Sequence, residues 1–280
     1  MIIEWLAFRL IIGAVSAGQV GGVGAAPPGQ PVPHTDAAPV AVGVASPGYL
    51  WPENFQVEND QARVFWRSGT AEAPWPGARI THAFVRGLGT QENMDSVESP
   101  GGRSAGFTLE GSGAFVIGVT LGEVEAVVRP ADVARIGEDG ARGIDADERA
   151  RVVQCAKAVL RREDAASPGR RSPVVTSKCG QPAELRPLMD PTVGPIPRDI
   201  PVRVFAGGSA RAGASVSFRV MNAAGEVTHE GVAATSAEGV MTLTIDRPGV
   251  WVLASEWVVP GDGEGGAVWY QSTLSFEVAP

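Results

Sequence analysis

Cysteine, histidine and lysine are all scarce in this sequence. Only Cys155 and Cys179, three histidines (His34, His82 and His229) and two lysines (Lys157 and Lys178) occur among 280 residues. So few thiols and imidazoles, with no HExxH motif and no close His pair, leave little from which to build a transition-metal site. No apolar run approaches the roughly 20 residues that a membrane-spanning helix needs. A concentrated basic face is missing as well. The net charge is −8 and the sequence pI about 5.0, which argues against a nucleic-acid partner. No G-x-S-x-G elbow occurs, and Gly207–Gly213 carries no lysine, so neither a hydrolase nucleophile turn nor a phosphate-binding loop is indicated.

What the chain does hold is enough apolar material for a core: 44% hydrophobic residues and a mean hydropathy of +0.04. Its 36 glycines and 22 prolines suit a turn-rich β protein. Leu10–Ala17, preceded by Arg9 and followed by small residues, reads as the core of a signal peptide spanning 1–25, cleaved near Val23-Gly24-Ala25. The expected location is therefore periplasmic or secreted, with an uncleaved anchor as the alternative. Residues 26–45 hold five prolines without periodicity and read as a tether.

From Trp51 onward, short β-type runs such as Val64–Trp66, Arg79–Val85, Ala114–Leu121 and Val124–Val128 are separated by turn residues. One segment reads as an amphipathic helix near 145–163. Asp145 and Glu148 form its cap. Val152, Val153, Ala156, Val159 and Leu160 fall on one helical stripe, and Arg161 and Arg162 close the last turn. After Pro182 the alternation is plainly β, with Val216, Phe218 and Val220 set against Ser215, Ser217 and Arg219. The expected fold is mainly β. It has an N-terminal β domain with the helix (46–170) and an immunoglobulin-like or transthyretin-like sandwich (181–280).

Glu148–Leu160, Gly180–Pro187 (GQPAELRP), Pro201–Phe205 (PVRVF), Gly208–Val216, Thr235–Gly239, Pro248–Leu253 and Trp269–Val278 together resemble a bacterial periplasmic family of unknown function. That family is often labelled the periplasmic component of cobalt or nickel uptake, and the resemblance implies such a role. Members often carry a histidine just after the signal peptide. Here that stretch is Gly48-Tyr49-Leu50-Trp51, so a metal role through that residue does not transfer. The aspartate usual in the Thr-Asp-Ala turn is Ser236.

In an oxidising compartment Cys155 and Cys179 are expected to form a structural disulfide, with two separately buried thiols as the alternative. The acidic residues Glu138, Asp139, Asp145, Asp147 and Glu148 do not match the spacing of a twelve-residue calcium loop. Among the seven tryptophans, Trp51 and the loop residue Trp75 are the possible ligand contacts, while most others are expected in cores. No cofactor and no catalytic constellation are expected. The functional expectation is an exported, non-catalytic binding or accessory protein, linked by resemblance to nickel or cobalt uptake through a membrane transporter component. The alternative is a surface module that binds carbohydrate or mediates adhesion through a surface glycan.

Overall fold

A computed structural model describes residues 47–280 except 59, 68–79, 89, 95–103, 146, 163–168, 170 and 262–265. The expected signal peptide, the tether and Trp75 lie outside the described residues. In chain order the elements are β1 (Tyr49–Pro52), β2 (Gln61–Arg67), β3 (Ile80–Gly87), β4 (Thr90–Met94), β5 (Ser104–Thr108), β6 (Gly113–Leu121), β7 (Val124–Val127) and α1 (Pro130–Ile136). There follow β8 (Arg149–Arg162), α2 (Pro173–Thr176), β9 (Ala183–Pro187), β10 (Arg198–Ala206), β11 (Ser209–Ala210), β12 (Ser215–Met221), β13 (Val227–Ala234), β14 (Val240–Ile245), β15 (Gly249–Val259) and β16 (Ala267–Val278). The protein is mainly β, as the alternating runs indicate.

One nine-stranded sheet, in the order β13-β12-β15-β16-β8-β6-β3-β4 with β7 also on β8, runs through the molecule. It passes without a break across residues 171–180, where the sequence suggests a division, because β16 pairs in parallel with β8. Smaller sheets cover its two faces. The three-stranded sheet β1-β2-β5 encloses a core that includes Val64, Phe107, Phe115, Ile117, Ala156, Ala158 and Leu160. The sheet of β11, β10, β14 and β9 encloses another on the opposite face, with Val159, Leu185, Val202, Val204, Leu243, Trp251 and Phe276. Two sandwich-like cores thus share one central sheet. Within the second core Trp251 stacks between Phe218 and Phe276, with ring centroids 5.8 and 6.5 Å away.

The helix expected over 145–163 is strand β8. Its stripe of valines and alanines fits a helix, but the same residues also fill both faces of a fully enclosed strand. Val152, Ala156, Ala158 and Leu160 face one way, Val153, Cys155 and Val159 the other, and all are buried. Gln154 and Lys157 resemble the polar side of a helix in sequence, yet they are 4% and 2% exposed and find partners inside. The capping contacts do form: Asp145 N–H donates to Glu148 Oε2 at 3.2 Å, and Glu148 N–H to the Asp145 carbonyl at 3.2 Å. They close a turn rather than start a helix. The longer of the two helices among the described residues, α1, was too short to read from periodicity; Pro130 opens it, and Asp132 accepts from Arg129 N–H at 3.0 Å.

Glycine has a packing role at Gly118 of β6, directly opposite Phe84 of β3. A Cβ there would stand 2.2 Å from the buried Phe84 ring. Gly118→Ala must displace that ring, and a loss of about 1–3 kcal/mol in urea unfolding is expected. Gly106→Ala, on β5 with nothing within 4 Å of the new methyl, serves as the comparison and should not destabilise.

Candidate functional site

The face of the central sheet that carries the first core is left partly open over β13, β12, β15 and β16. Register explains the opening. Val232, Ser217, Ala254 and Thr273 lie opposite one another in a row across these four strands. The next row along is Glu230, Arg219, Val252 and Ser275, and on the other side Glu256 stands opposite Gln271. Small side chains in the middle row, between longer ones, sink a trough across the strands. Three interstrand steps of about 4.8 Å give it a floor about 14 Å long. Helix α1 supplies one wall through Ala134–Gly137, Pro47 lies at the β16 end, and the enclosed volume is about 820 Å³.

The polar groups of the trough are already ordered. Glu256, 8% exposed, forms an ion pair with Arg135 and accepts from Trp269 Nε1–H at 3.1 Å and Gln271 Nε2–H at 2.9 Å. Arg135 also bonds Asp132 at 2.9 Å and lies 5.8 Å from the Trp269 ring centroid. Gln271 Oε1 in turn accepts from Gln154, so a buried polar chain runs from α1 across β15 and β16 to β8. The Ser217 and Thr273 hydroxyls donate to the carbonyls of Ala254 and Gly48 at 3.4 and 2.9 Å. Their oxygens remain able to accept. Arg219 lies 4.7 Å over the Tyr49 ring, with no carboxylate within 4 Å of its guanidinium among the described residues.

A second cluster joins β8 to β9. Lys157 and Glu184 are 2% and 0% exposed and lie 2.9 Å apart. Glu184 also accepts from Cys179 N–H at 3.0 Å and Gly180 N–H at 3.3 Å. Farther along β8, Arg161 reaches Asp190 at 3.3 Å, and Asp190 takes further bonds from Ser172 N–H and from Thr192. Gln181 donates to the Val119 carbonyl at 3.0 Å. The motif Gly180–Pro187 and the Ala156-Lys157-Ala158 stretch, far apart in sequence, therefore meet here.

The expected disulfide is absent: Cys155 and Cys179 are free thiols. Both lie beside the Lys157–Glu184 pair but pack differently. Cys155 sits with Val153 and Ala183 and contacts Thr120 Oγ1 at 3.8 Å. Cys179 packs against the second core and donates to the Ser177 carbonyl at 3.7 Å. The loop length allows a bridge, but the Cys155 thiol is engaged with Thr120 and the Cys179 thiol with the Ser177 carbonyl. Trp51 is half-buried, edge-on to Phe55 at 5.8 Å and under the Arg67 guanidinium at 4.9 Å, so it packs outside the trough. Among the described residues no three of His, Cys, Asp and Glu converge as a metal-holding group. The trough residues Ser217, Arg219, Ala254, Glu256 and Thr273 were not foreseen. Ser217, Ala254 and Thr273 are small residues on strands that neighbour in the sheet, but the register that aligns them does not show in sequence.

A family model described as "Domain of unknown function (DUF4198)" matches residues 45–259. The chain belongs to this family. The match runs from just before β1 to the end of β15, and so takes in the buried pair and three of the four trough strands. No curated protein sequence matches the chain. Among solved structures, a biofilm-associated protein BSP domain is similar at 12% identity and TM-score 0.20, over 83% of this chain and 30% of that one. This chain thus spans under a third of that protein's length. Chicken interferon gamma receptor alpha chain is similar at 10% identity and TM-score 0.21, over 77% and 89% of the two chains. The human OSCAR ligand-binding domain gives 15% identity and TM-score 0.19, over 82% and 97%. Scores this low do not establish a common arrangement.

Lys157→Met leaves a buried carboxylate without its cation and is expected to cost about 3–5 kcal/mol in urea unfolding. Adding Glu184→Leu should recover most of that loss. Burial pushes the Cys155 thiol up to about 11 from an ordinary 9.0. A thiol raised on folding contributes stability that is complete below pH 9 and lost as pH rises to 11. The difference in unfolding free energy between pH 8 and 11 should therefore be about 2–3 kcal/mol larger in the wild type than in Cys155→Ala.

Proposed function

We propose that this chain is an exported, non-catalytic binding module that holds an elongated, polar ligand in the trough across β13, β12, β15 and β16. One observation carries the reading: the aligned row of Val232, Ser217, Ala254 and Thr273 that opens a floor of hydroxyl and methyl groups. A sheet face left as surface needs no such depression, and concave sites with a few fixed polar groups are where ligands bind. Non-catalytic use is supported by the way the polar groups are engaged. The trough hydroxyls of Ser217 and Thr273 bond backbone carbonyls rather than a base, and Glu256 is neutralised by Arg135. A glycan segment is the ligand class favoured here, because hydroxyl acceptors beside the Val232 and Ala254 methyl groups suit a sugar's polar edge and apolar face. Export rests on the Leu10–Ala17 run and its flanks. No helix among the described residues is long and apolar enough to cross a membrane. The narrower role, serving nickel or cobalt uptake beside a membrane transporter, rests on the motif resemblance alone.

Ser217→Trp places a large ring in the trough at an exposed position. On an oligosaccharide array followed by calorimetric titration, the wild type should bind and the variant should bind at least about tenfold more weakly, with its melting temperature unchanged. Equal binding by both proteins would remove the trough from the reading. Saturable heat with nickel or cobalt, and none with glycans, would put the uptake role in its place.

A further inference from the structure

A second site, independent of the trough, is indicated on the outer face of the sheet formed by β9, β10 and β14. Along β10, Ile200, Val202 and Val204 enter the core, which turns Arg203 and Phe205 to the other face. Arg203 lies directly opposite Arg186 of β9. In such a pair the Cβ atoms are about 5 Å apart, and like charges placed this way destabilise a sheet. Neither guanidinium has a carboxylate within 4 Å among the described residues. Arg186 is fixed by one bond among the described residues, Nε–H to the Thr176 carbonyl at 2.6 Å, in which its terminal nitrogens take no part. The Nε–H of Arg203 is buried and has no partner among the described residues. A third cation stands next to them: Lys178 Nζ lies 4.9 Å from the ring centroid of Phe205, two residues along from Arg203 on the same face.

The neighbouring acids do not balance this charge. Glu184 is opposite Phe205 but is taken up by Lys157 and by the Cys179 and Gly180 amides. Glu238, exposed at the rim, is held below the usual carboxylate range first by the Ser236 hydroxyl, with Arg203 a lesser influence. Three cations therefore share one strip of a chain with net charge −8. Arg186 lies in GQPAELRP and Arg203 in PVRVF, two motifs for which the trough has no use.

We propose that Arg186 and Arg203, with Lys178 at the edge, bind a tetrahedral oxyanion, a phosphate or sulfate group, between the two guanidinium groups. Guanidinium N–H forks match such oxygens in pairs, and the bound anion replaces a repulsive cross-strand pair with a bridged one. The source is a free inorganic ion or an ester group on a larger molecule, and the two are separable. Full-length protein is titrated with inorganic phosphate, inorganic sulfate and a sulfated oligosaccharide, against chloride at matched ionic strength. Side-chain Nε–H NMR signals of the arginines are read alongside calorimetry. The Arg186 and Arg203 signals should shift saturably with the oxyanions and not with chloride. Tighter binding of the oligosaccharide than of sulfate identifies an ester ligand; equal affinities identify the free ion. R203Q and R186Q should each weaken binding by at least about tenfold. Without anion, R203Q should melt no lower than the wild type, since it removes the repulsion. Shifts that chloride reproduces, or unchanged affinity in both variants, would overturn the site. S217W should leave it intact, so its failure and that of the trough are distinguishable.

Discussion

The architecture turns on the buried contact between Lys157 and Glu184. A strand enclosed on both faces has no need of an ammonium group, and taking one out of water is costly unless a partner and further hydrogen bonds are at hand. Glu184 supplies the charge, and the Cys179 and Gly180 amides satisfy the remaining carboxylate valence. The 177–181 loop is thereby wrapped around the carboxylate, and β9 is fixed against β8 in one register. Arg161 and Asp190 repeat the device farther along, with Ser172 and Thr192 as the extra donors. These pairs need not add net stability. Their stronger effect is on specificity, because any slip of β9 along β8 would leave two unpaired charges inside.

That constraint also accounts for the single sheet. With β9 held on β8, and β16 paired in parallel to β8 over ten residues, the C-terminal strands have only one place to continue the ladder. The two small sheets then close opposite faces and produce two cores rather than two domains. A parallel contact at the centre of an otherwise antiparallel sheet is the step that joins the halves of the chain.

How much of this was legible in sequence depended on how local the signal was. Alternation at Val216, Phe218 and Val220, or at Met241, Leu243 and Ile245, is local, and both runs are strands as read. Strand β8 misled because enclosure erases alternation: Val152-Val153 and Ala156-Lys157-Ala158 fit a 3.6-residue period as well as a doubly buried strand. Nothing in sequence marks the partner of Lys157, which lies 27 positions away in a motif with no spacing rule of its own. The same blindness applied to the cysteines, since spacing reports loop length and not side-chain direction. The trough was hidden more deeply. Ser217, Ala254 and Thr273 are ordinary residues singly, and only strand order and register place them in one row.

The trough and the arginine pair differ in what they ask of the fold. A depression made by small side chains lacks packing but leaves no unmet charge, so it persists empty at little cost, and the Arg135–Glu256–Gln271 chain keeps its wall rigid. Two arginines opposite each other across a ladder are different: like charges so placed repel in the empty protein, and a bound anion would relieve that repulsion. The trough therefore needs shape to recognise a ligand, whereas the arginine pair needs only charge of the right geometry. Placed on separate sheets, the two proposed sites do not compete, so a ligand in one leaves the geometry of the other untouched.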